Sequence, residues 1–267
     1  MPEGDTVFLA GKKLDRAIAG KTLTRGEFRH PALATVDLAG RDVLGVRTVG
    51  KHIFTQFSGD LSLHSHLKMD GTWRIYAAGV KWGFPAHHAR VILAAEGVQA
   101  VGFRLHDQKL VPTGEEHRLV EHLGPDLLDP QWTEEHAGRA AAALSADPAR
   151  ELGLALLDQR IMAGVGNLYK VEICALLRVS PWTPVSEVDP AKVVALGRKL
   201  LLANAWRNEQ CTTGDLGRGR QQWVYERTRL GCFRCGGRVL VRDQGHDVQR
   251  RPTWFCPKCQ PGPAPST

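Results

Sequence analysis

Four cysteines near the end of the chain constrain its fold more than any other sequence feature. They form two Cys-x2-Cys pairs, Cys232 with Cys235 and Cys256 with Cys259, and twenty residues separate the pairs. Two thiolate pairs at this spacing are typical of a tetrahedral zinc site. Because the protein would supply all four ligands, the metal would have no open coordination position. The spacing therefore predicts a structural zinc that orders a β-hairpin, and not a catalytic metal.

Length and composition limit the class of protein. The 267 residues predict about two domains, and 43% hydrophobic with 24% charged residues is ordinary globular usage, which excludes disordered and fibrous proteins. The longest apolar runs are far shorter than the roughly 20 residues of a membrane span, and the acidic start lacks the features of a signal peptide. We therefore expect a cytoplasmic monomer with no membrane partner. Cysteines stay reduced in the cytoplasm, which favours metal binding over disulfides.

Positive charge is concentrated in the segment 207–258. This segment holds eleven Arg or Lys and five Asp or Glu, which accounts for nearly all of the net charge of +7. Ten of the eleven basic residues are arginines, and the arginine guanidinium binds phosphate bidentately. The pattern favours an anionic partner such as a nucleic acid, and a solvated basic surface is the alternative.

The hydrophobic pattern predicts a β-rich part followed by a helical part. A helix is predicted over 5–19, with Asp5 or Thr6 at its N-cap and Gly20 after its end. Alternating runs separated by turn residues predict an antiparallel β-sandwich. The predicted strands are 43–48, 53–57, 61–67, 73–76, 90–94 and 98–104. The predicted later helices are 133–144, 149–157, 168–177 and one that begins at Asp189-Pro190.

These patterns predict an α+β fold of two domains. The first is an antiparallel β-sandwich with an N-terminal helix, and the second is helical and ends in the zinc-stapled β-hairpin. The expected segments are a β-sandwich domain at 1–118, a helical DNA-binding domain at 125–222, a zinc finger at 223–260 and a disordered tail at 261–267.

Two short motifs each allow a chemical and a purely structural interpretation. The turn Gly164-Val165-Gly166-Asn167 lies between two predicted helices, where its backbone N–H groups could bind a phosphate or where it could simply be a turn. Pro2 becomes a secondary amine once Met1 is removed, and such an amine can attack the C1′ atom of a sugar. The alternative is that proline is only a permitted second residue.

Seven motifs occur in a fixed order along almost the whole chain. They are Met1-Pro2-Glu3-Gly4, Val49-Gly50-Lys51-His52, His66-Leu67-Lys68-Met69-Asp70-Gly71, His122-Leu123-Gly124-Pro125, Leu157-Asp158-Gln159-Arg160, Gly164-Val165-Gly166-Asn167 and the run from Arg251 to Gln260. In this combination the chain resembles the formamidopyrimidine-DNA glycosylase and endonuclease VIII family of base-excision repair enzymes. The resemblance implies a bacterial-type activity at the nucleoid, on damaged DNA, and it implies that the glycine turn belongs to a helix-two-turn-helix element.

The resemblance also implies roles for individual residues. Pro2 would be the Schiff-base nucleophile, Glu3 the acid/base that assists base loss and ring opening, and Lys51 a second proton donor. Asn167 and Arg251 would bind the phosphates that flank the lesion, and Arg251 would also assist δ-elimination. These phosphate contacts would hold the backbone bent while the damaged nucleotide is flipped out. Met69 is the candidate apolar wedge that fills the resulting gap.

Three departures from the family pattern bear on the substrate. Thr6 stands where many members have a glutamate, 103–106 lacks the paired-arginine-and-phenylalanine motif of the purine-specific branch, and the stretch 212–225 is shorter than the loop that caps oxidised guanine there. The glycines within 214–220 also predict a mobile loop. We therefore expect a bifunctional glycosylase and lyase of the endonuclease VIII branch that favours oxidised pyrimidines. The alternatives are a purine-specific enzyme of the same family and a non-catalytic zinc-ribbon protein that binds damaged DNA.

Overall fold

A computed structural model describes residues 2–246 and 250–264 of the chain. The chain forms two compact units, Met1–His122 and Leu123–Thr267. The first consists mainly of antiparallel strands, and the second of helices followed by a two-stranded hairpin. The predicted α+β fold is thus confirmed.

The first unit is a sandwich of two four-stranded antiparallel sheets, with one helix packed against it. Helix α1 covers Gly4–Ile18. The strands are β1 (Leu23–Phe28), β2 (Val43–Val49), β3 (His52–Phe57), β4 (Leu61–His66), β5 (Thr72–Ala77), β6 (Ala89–Ala95), β7 (Val98–Phe103) and β8 (Asp107–Val111). One sheet has the order β1-β6-β7-β5 and the other the order β2-β3-β4-β8.

The apolar core of this unit lies between the two sheets and α1. Leu14 and Ile18 of α1 are fully buried together with Ile53 and Phe57 of β3 and Leu93 of β6. Burying an apolar side chain of this size contributes about 2 kcal/mol. The helix that carries the chain start is therefore fixed to the sandwich by its own apolar face.

The sequence pattern predicts six of the eight strands and misses β1 and β8. Both missed strands are edge strands, each paired on one side only. β1 has exposed Thr24 and Arg25, and β8 has Asp107 and exposed Lys109, so neither shows a clear apolar alternation. An edge strand tolerates such residues because much of its surface faces solvent.

The start of α1 differs in detail from the prediction. Glu3 occupies the N-cap position, whereas Asp5 and Thr6 lie within the first turn. The helix ends at Ile18, two residues before Gly20. Glu3 is therefore held in the extended backbone conformation of a cap, next to the N-terminal end of the helix.

Helices form most of the second unit, and a hairpin completes it. The helices are α2 (Glu134–Ser145), α3 (Leu152–Leu157), α4 (Asn167–Leu177) and α5 (Pro190–Asn204), and the hairpin strands are β9 (Leu240–Gln244) and β10 (Arg251–Phe255). The predicted cap of α5 is confirmed, because the Asp189 carboxylate accepts from the backbone N–H groups of Ala191 and Lys192 at 3.0 and 3.3 Å. α3 begins three residues later than predicted because Glu151 forms a β-bridge with Pro184.

Two expectations concern the membrane and the tail. None of the helices within 2–246 and 250–264 has the length and apolar composition needed to cross a bilayer. In the expected disordered tail, the Pro263 carbonyl accepts a hydrogen bond from the Ser180 hydroxyl, so this part contacts the helical unit. Residues 265–267 lie outside the described residues.

Candidate functional site

Two contacts define how α1 lies along β2. Oδ1 of Asp15 accepts from the backbone N–H of Val46 at 2.8 Å, and a Cβ added to Gly11 would come within 2.4 Å of Cγ2 of Thr48. A helix rises about 1.5 Å per residue and a strand about 3.3 Å, so about four helical residues match two strand residues. By this register Val7 is level with Gly50, just after the end of β2, so Glu3 and the chain start lie at the end of the sandwich that carries the turn between β2 and β3.

That turn carries Lys51, so the chain start and Lys51 lie at the same end of the sandwich. Glu3 is only 1% exposed, whereas Pro2 and Lys51 are half-buried. Asp5 is also 1% exposed. The first turn of α1 therefore keeps a second buried carboxylate, although Thr6 replaces the family glutamate. Once Met1 is removed, this end can supply the main-chain amine of Pro2, the carboxylates of Glu3 and Asp5 and the ammonium group of Lys51.

A histidine cluster lies beside Lys51, and although the motifs at 49–52 and 66–71 contain two of its members, neither motif predicted that they meet. Nδ1 of His52 lies 2.8 Å from Nε2 of His64, and the ring of His66 stands edge-on to the His52 ring with centroids 5.1 Å apart. Burial lowers the pKa of His52 to about 3 and that of His66 to about 4. The cluster therefore adds hydrogen-bonding groups but no charge at neutral pH. The spacing His64-x-His66 on one strand was the available clue, because alternate residues share a face.

Met69 lies in the turn between β4 and β5, and its side chain is 64% exposed. Ion pairs hold its two neighbours to the first residue of β8 and to the segment before it. Lys68 contacts Asp107 at 2.9 Å, and Asp70 contacts Arg104 at 3.6 Å. An exposed apolar side chain on a turn anchored on both sides has the form that a wedge requires.

In the second unit, the side chain of Gln159 organises the glycine turn before α4. Its amide donates to the carbonyls of Leu157 and Val165 at 2.8 and 2.9 Å, and its Oε1 accepts from the N–H of Gly164 at 3.1 Å. Gly164 has φ +112°, a conformation that favours glycine. The N–H of Gly164 is therefore engaged within the protein, which disagrees with the idea that it faces a phosphate.

Asn167, the first residue of α4, is 4% exposed and connects the turn to the hairpin. Its Nδ2 donates to the carbonyl of Pro252 at 2.9 Å, while its buried Oδ1 has no hydrogen-bond partner among the described residues. Pro252 directly follows Arg251, which begins β10 and pairs with Gln244 across the hairpin. The structure thus brings Asn167 and Arg251 together.

The four cysteines meet at the end of the hairpin far from Arg251. Sγ of Cys232 lies 3.9 Å from that of Cys259, and Sγ of Cys235 lies 3.6 Å from that of Cys256. A tetrahedral zinc with Zn–S bonds of about 2.3 Å would separate its sulfurs by about 3.8 Å. Across the described ranges, these cysteines are the one group arranged to hold a metal ion. The separations of the sulfur atoms fit a zinc ion, and with four protein ligands such an ion would have no coordination position for a substrate.

A buried carboxylate on α4 holds both ends of the loop between Thr212 and Trp223. Glu172 accepts from the backbone N–H groups of Trp223, Val224 and Tyr225 at 2.7, 2.8 and 2.9 Å, and from the hydroxyl of Thr212. Burial raises the pKa of the Glu172 carboxyl, and these hydrogen bonds oppose the rise. No motif identified Glu172, because a charged helical residue is usually solvated.

The glycine-rich tip of this loop is also held in place. Asp215 accepts from Nε of Arg220 at 2.5 Å and from the N–H of Gly217 at 2.9 Å, and the Arg227 guanidinium donates to the carbonyl of Gly219. The glycines predict a mobile loop, and these hydrogen bonds restrain its tip. Side-chain hydrogen bonds within the loop compensate for the conformational freedom of its glycines.

Comparison with known proteins identifies relatives along the whole chain. The model of the formamidopyrimidine-DNA glycosylase N-terminal domain matches residues 1–111. The chain is 52% identical to "Probable endonuclease 8 2" of Streptomyces coelicolor, over 99% of this chain and 96% of the relative. It is 44% identical to "DNA-(apurinic or apyrimidinic site) lyase Nei2" of Mycolicibacterium smegmatis, over 97% of this chain and 99% of that protein.

Solved structures with the same fold include two complexes of the Lactococcus lactis Fpg protein. One contains DNA with an abasic site and matches with a TM-score of 0.80 at 21% identity. The other contains DNA with an oxidised pyrimidine and matches with a TM-score of 0.80 at 22% identity. Each comparison covers 98% of this chain and all of the solved chain. The chain therefore belongs to the formamidopyrimidine-DNA glycosylase and endonuclease VIII family, on its endonuclease VIII side, and it is a DNA glycosylase and AP lyase of base-excision repair.

Proposed function

We propose that the protein removes oxidised bases, preferentially pyrimidines, through a Schiff base on Pro2 followed by β- and δ-elimination. The observation that supports this proposal is the register of α1 on β2, by which the chain start and Lys51 lie at the same end of the sandwich. Nucleophile, acid/base and second proton donor then act on one sugar from one end of the sandwich. A nucleophile next to its proton-transfer partners is the arrangement that covalent catalysis requires.

The chemistry follows from these groups. The nitrogen of Pro2 attacks C1′, the glycosidic bond breaks, and the base leaves with a proton. Glu3 protonates the sugar oxygen as the ring opens, which leaves an iminium at C1′. Loss of a proton from C2′ expels the 3′ phosphate, and loss of a proton from C4′ then expels the 5′ phosphate. Lys51 supplies a proton beside the sugar during these steps, and its half-buried position limits competing water.

DNA binding in this proposal depends on the second unit and on Met69. Asn167 and Arg251 bind the phosphates beside the lesion, and a structural zinc on the four cysteines orders the far end of the hairpin. Met69 enters the space left by the flipped nucleotide, for which its exposure suits it. Pro2, Glu3 and Lys51 then belong to the segment 1–118, whereas the phosphate contacts, and the part of Arg251 in δ-elimination, belong to 125–222 and 223–260.

The preference for pyrimidines rests on the loop between Thr212 and Trp223. This loop is short, and many of its polar groups bond to one another or to Glu172, which leaves little of it to enclose a large flipped purine. Ring-saturated pyrimidines also stack and pair poorly, which lowers the cost of flipping them. The names of the two relatives that are 52% and 44% identical, endonuclease 8 and Nei2, support the same branch of the family.

Borohydride trapping tests the covalent step. Borohydride reduces an iminium to a stable amine, so an enzyme that forms a Schiff base becomes covalently linked to abasic DNA. The wild type should form this crosslink, and Pro2→Gly should lose most of it while its affinity for abasic DNA stays nearly unchanged. Lys12→Gln, on the exposed face of α1, is the matched control and should crosslink like the wild type. Crosslinking of Pro2→Gly at the wild-type level would refute the role of Pro2, and a wild type that never crosslinks would refute a Schiff-base intermediate.

A substrate panel tests the preference separately. Under single-turnover conditions, thymine glycol and 5-hydroxyuracil should be excised faster than 8-oxoguanine paired with cytosine. An equal or faster rate on 8-oxoguanine would refute the preference for pyrimidines, and the argument from the short loop would fail.

A further inference from the structure

A lysine is completely buried on α4, where the hairpin packs against it. Lys170 is 0% exposed, and its Nζ lies 2.5 Å from Oγ1 of Thr253, which is itself 0% exposed. Burying an ammonium group is costly unless hydrogen bonds compensate for the lost water. A contact of this kind fixes the two groups firmly relative to each other, because breaking it leaves a buried charge with fewer partners.

The hydrogen bonds from Lys170 lead to the backbone of Arg251. Oγ1 of Thr253 lies 3.1 Å from the carbonyl oxygen of Arg251. An ammonium group only donates and a carbonyl only accepts, so the hydroxyl accepts from Lys170 and donates to Arg251. The direction of both bonds is therefore determined without reference to hydrogen positions.

The neighbouring residues of the hairpin are held in the same way. Asn167, one turn before Lys170 on α4, donates to the carbonyl of Pro252. On the opposite strand, Gln244 pairs with Arg251 and donates to Glu151 Oε2 and to the carbonyl of Pro181, both at 2.9 Å. The end of the hairpin that carries Arg251 is thus attached to the helices by buried polar groups, whereas the cysteines order the other end.

We propose that Lys170 is a positioning residue that holds Arg251 in its DNA-binding place through the hydroxyl of Thr253. The proposal rests on the phosphate contact assigned to Arg251 under the proposed function. Lys170 itself touches no substrate, because its side chain is fully buried. In this proposal, Lys170 affects DNA binding only through Arg251. A general contribution to folding would instead affect binding whether or not Arg251 is present.

Double-mutant cycles test this dependence. The single variants are Lys170→Met, Thr253→Val, Thr253→Ser and Arg251→Ala, and the first two are also combined with Arg251→Ala. The measurement is the dissociation constant for a duplex with a tetrahydrofuran abasic analogue at several salt concentrations. Zinc content and melting temperature are measured on every variant.

Lys170→Met and Thr253→Val should each weaken binding, by up to about tenfold, and should lower the salt slope toward that of Arg251→Ala. Thr253→Ser keeps the hydroxyl and should bind like the wild type. Neither Lys170→Met nor Thr253→Val should weaken binding further in the Arg251→Ala background, because the contact through which they act is already gone.

Three results would overturn the proposal. Additive losses of DNA affinity in the Arg251→Ala background would show that Lys170 acts on folding alone. Wild-type binding by Thr253→Val would show that the hydroxyl does not position Arg251. If Lys170→Met does not fold, the Thr253 variants decide the question. Wild-type binding by Arg251→Ala would refute the phosphate contact itself and the positioning with it, whereas the Pro2 chemistry would still be judged by trapping.

Discussion

Replacing Glu172 by Gln should destabilise the second unit substantially, although the two side chains have nearly the same shape. The carboxylate is fully buried and accepts three backbone N–H groups and one hydroxyl. The glutamine keeps one oxygen, which can still accept from Val224 and Tyr225. Its NH2 group replaces the oxygen that accepts from Trp223 and from the Thr212 hydroxyl. The hydroxyl can instead accept from the NH2 group, whereas the backbone N–H of Trp223 loses its acceptor.

The magnitude follows from these changes. A buried donor without an acceptor costs about 1–3 kcal/mol, and each of the two retained bonds loses about 0.5–1 kcal/mol because its acceptor is no longer charged. Relief of the buried negative charge offsets part of this loss. We expect a net decrease of about 2–3 kcal/mol in the free energy of unfolding, equivalent to a fall in melting temperature of roughly 6–9 °C.

Thermal and urea denaturation at neutral pH measure this change. Glu187→Gln, at an exposed acidic position in the same unit, is the control and should stay within about 0.5 kcal/mol of the wild type. Trypsin should also cleave Glu172→Gln faster at the arginines of the 212–223 loop, since both ends of that loop are attached to the carboxylate. A loss below about 0.5 kcal/mol would refute the reasoning, because Glu172 would then not anchor the loop.

Three further outcomes test other parts of the structure. Cys256→Ser should lose its zinc but weaken DNA binding only partly, because polar contacts to α4 still hold the Arg251 end of the hairpin. Metal analysis that finds no zinc in active wild-type protein would contradict this prediction. His52 and His66 stay neutral in the folded protein but take up protons near pH 6.5 when it is unfolded. The free energy of unfolding should therefore fall from pH 6.5 toward pH 4, by up to about 1.4 kcal/mol per pH unit for each histidine. Urea denaturation that shows no such fall would contradict the burial of the cluster. Met69→Ala should slow excision from duplex DNA and should leave unchanged both the melting temperature and the trapping on single-stranded abasic DNA. If the variant excises from duplex DNA at the wild-type rate, Met69 is not a wedge.

Local patterns predicted much of the fold. Helix α5 begins where Asp189 and Pro190 indicate, because a cap and a first-turn proline act within a few residues. The paired cysteines likewise predict their own cluster, since each pair already places two thiols together. The sequence pattern did not predict strands β1 and β8, because the alternation of apolar and polar residues is weaker in these edge strands.

By itself, the amino-acid sequence determined the order of the elements, the cysteine cluster and the set of candidate reactive residues. Only the tertiary structure decided which of these residues meet. The register of α1 on β2 brings the chain start to the end of the sandwich that carries Lys51, and it depends on contacts such as Asp15 with Val46 that are distant in sequence. From the sequence, Lys170 is expected to be an ordinary solvated residue. It becomes a buried hydrogen-bond donor only because β10 packs on α4. Local propensity carries no information on such pairings, since their free energy arises when distant segments exclude water from each other.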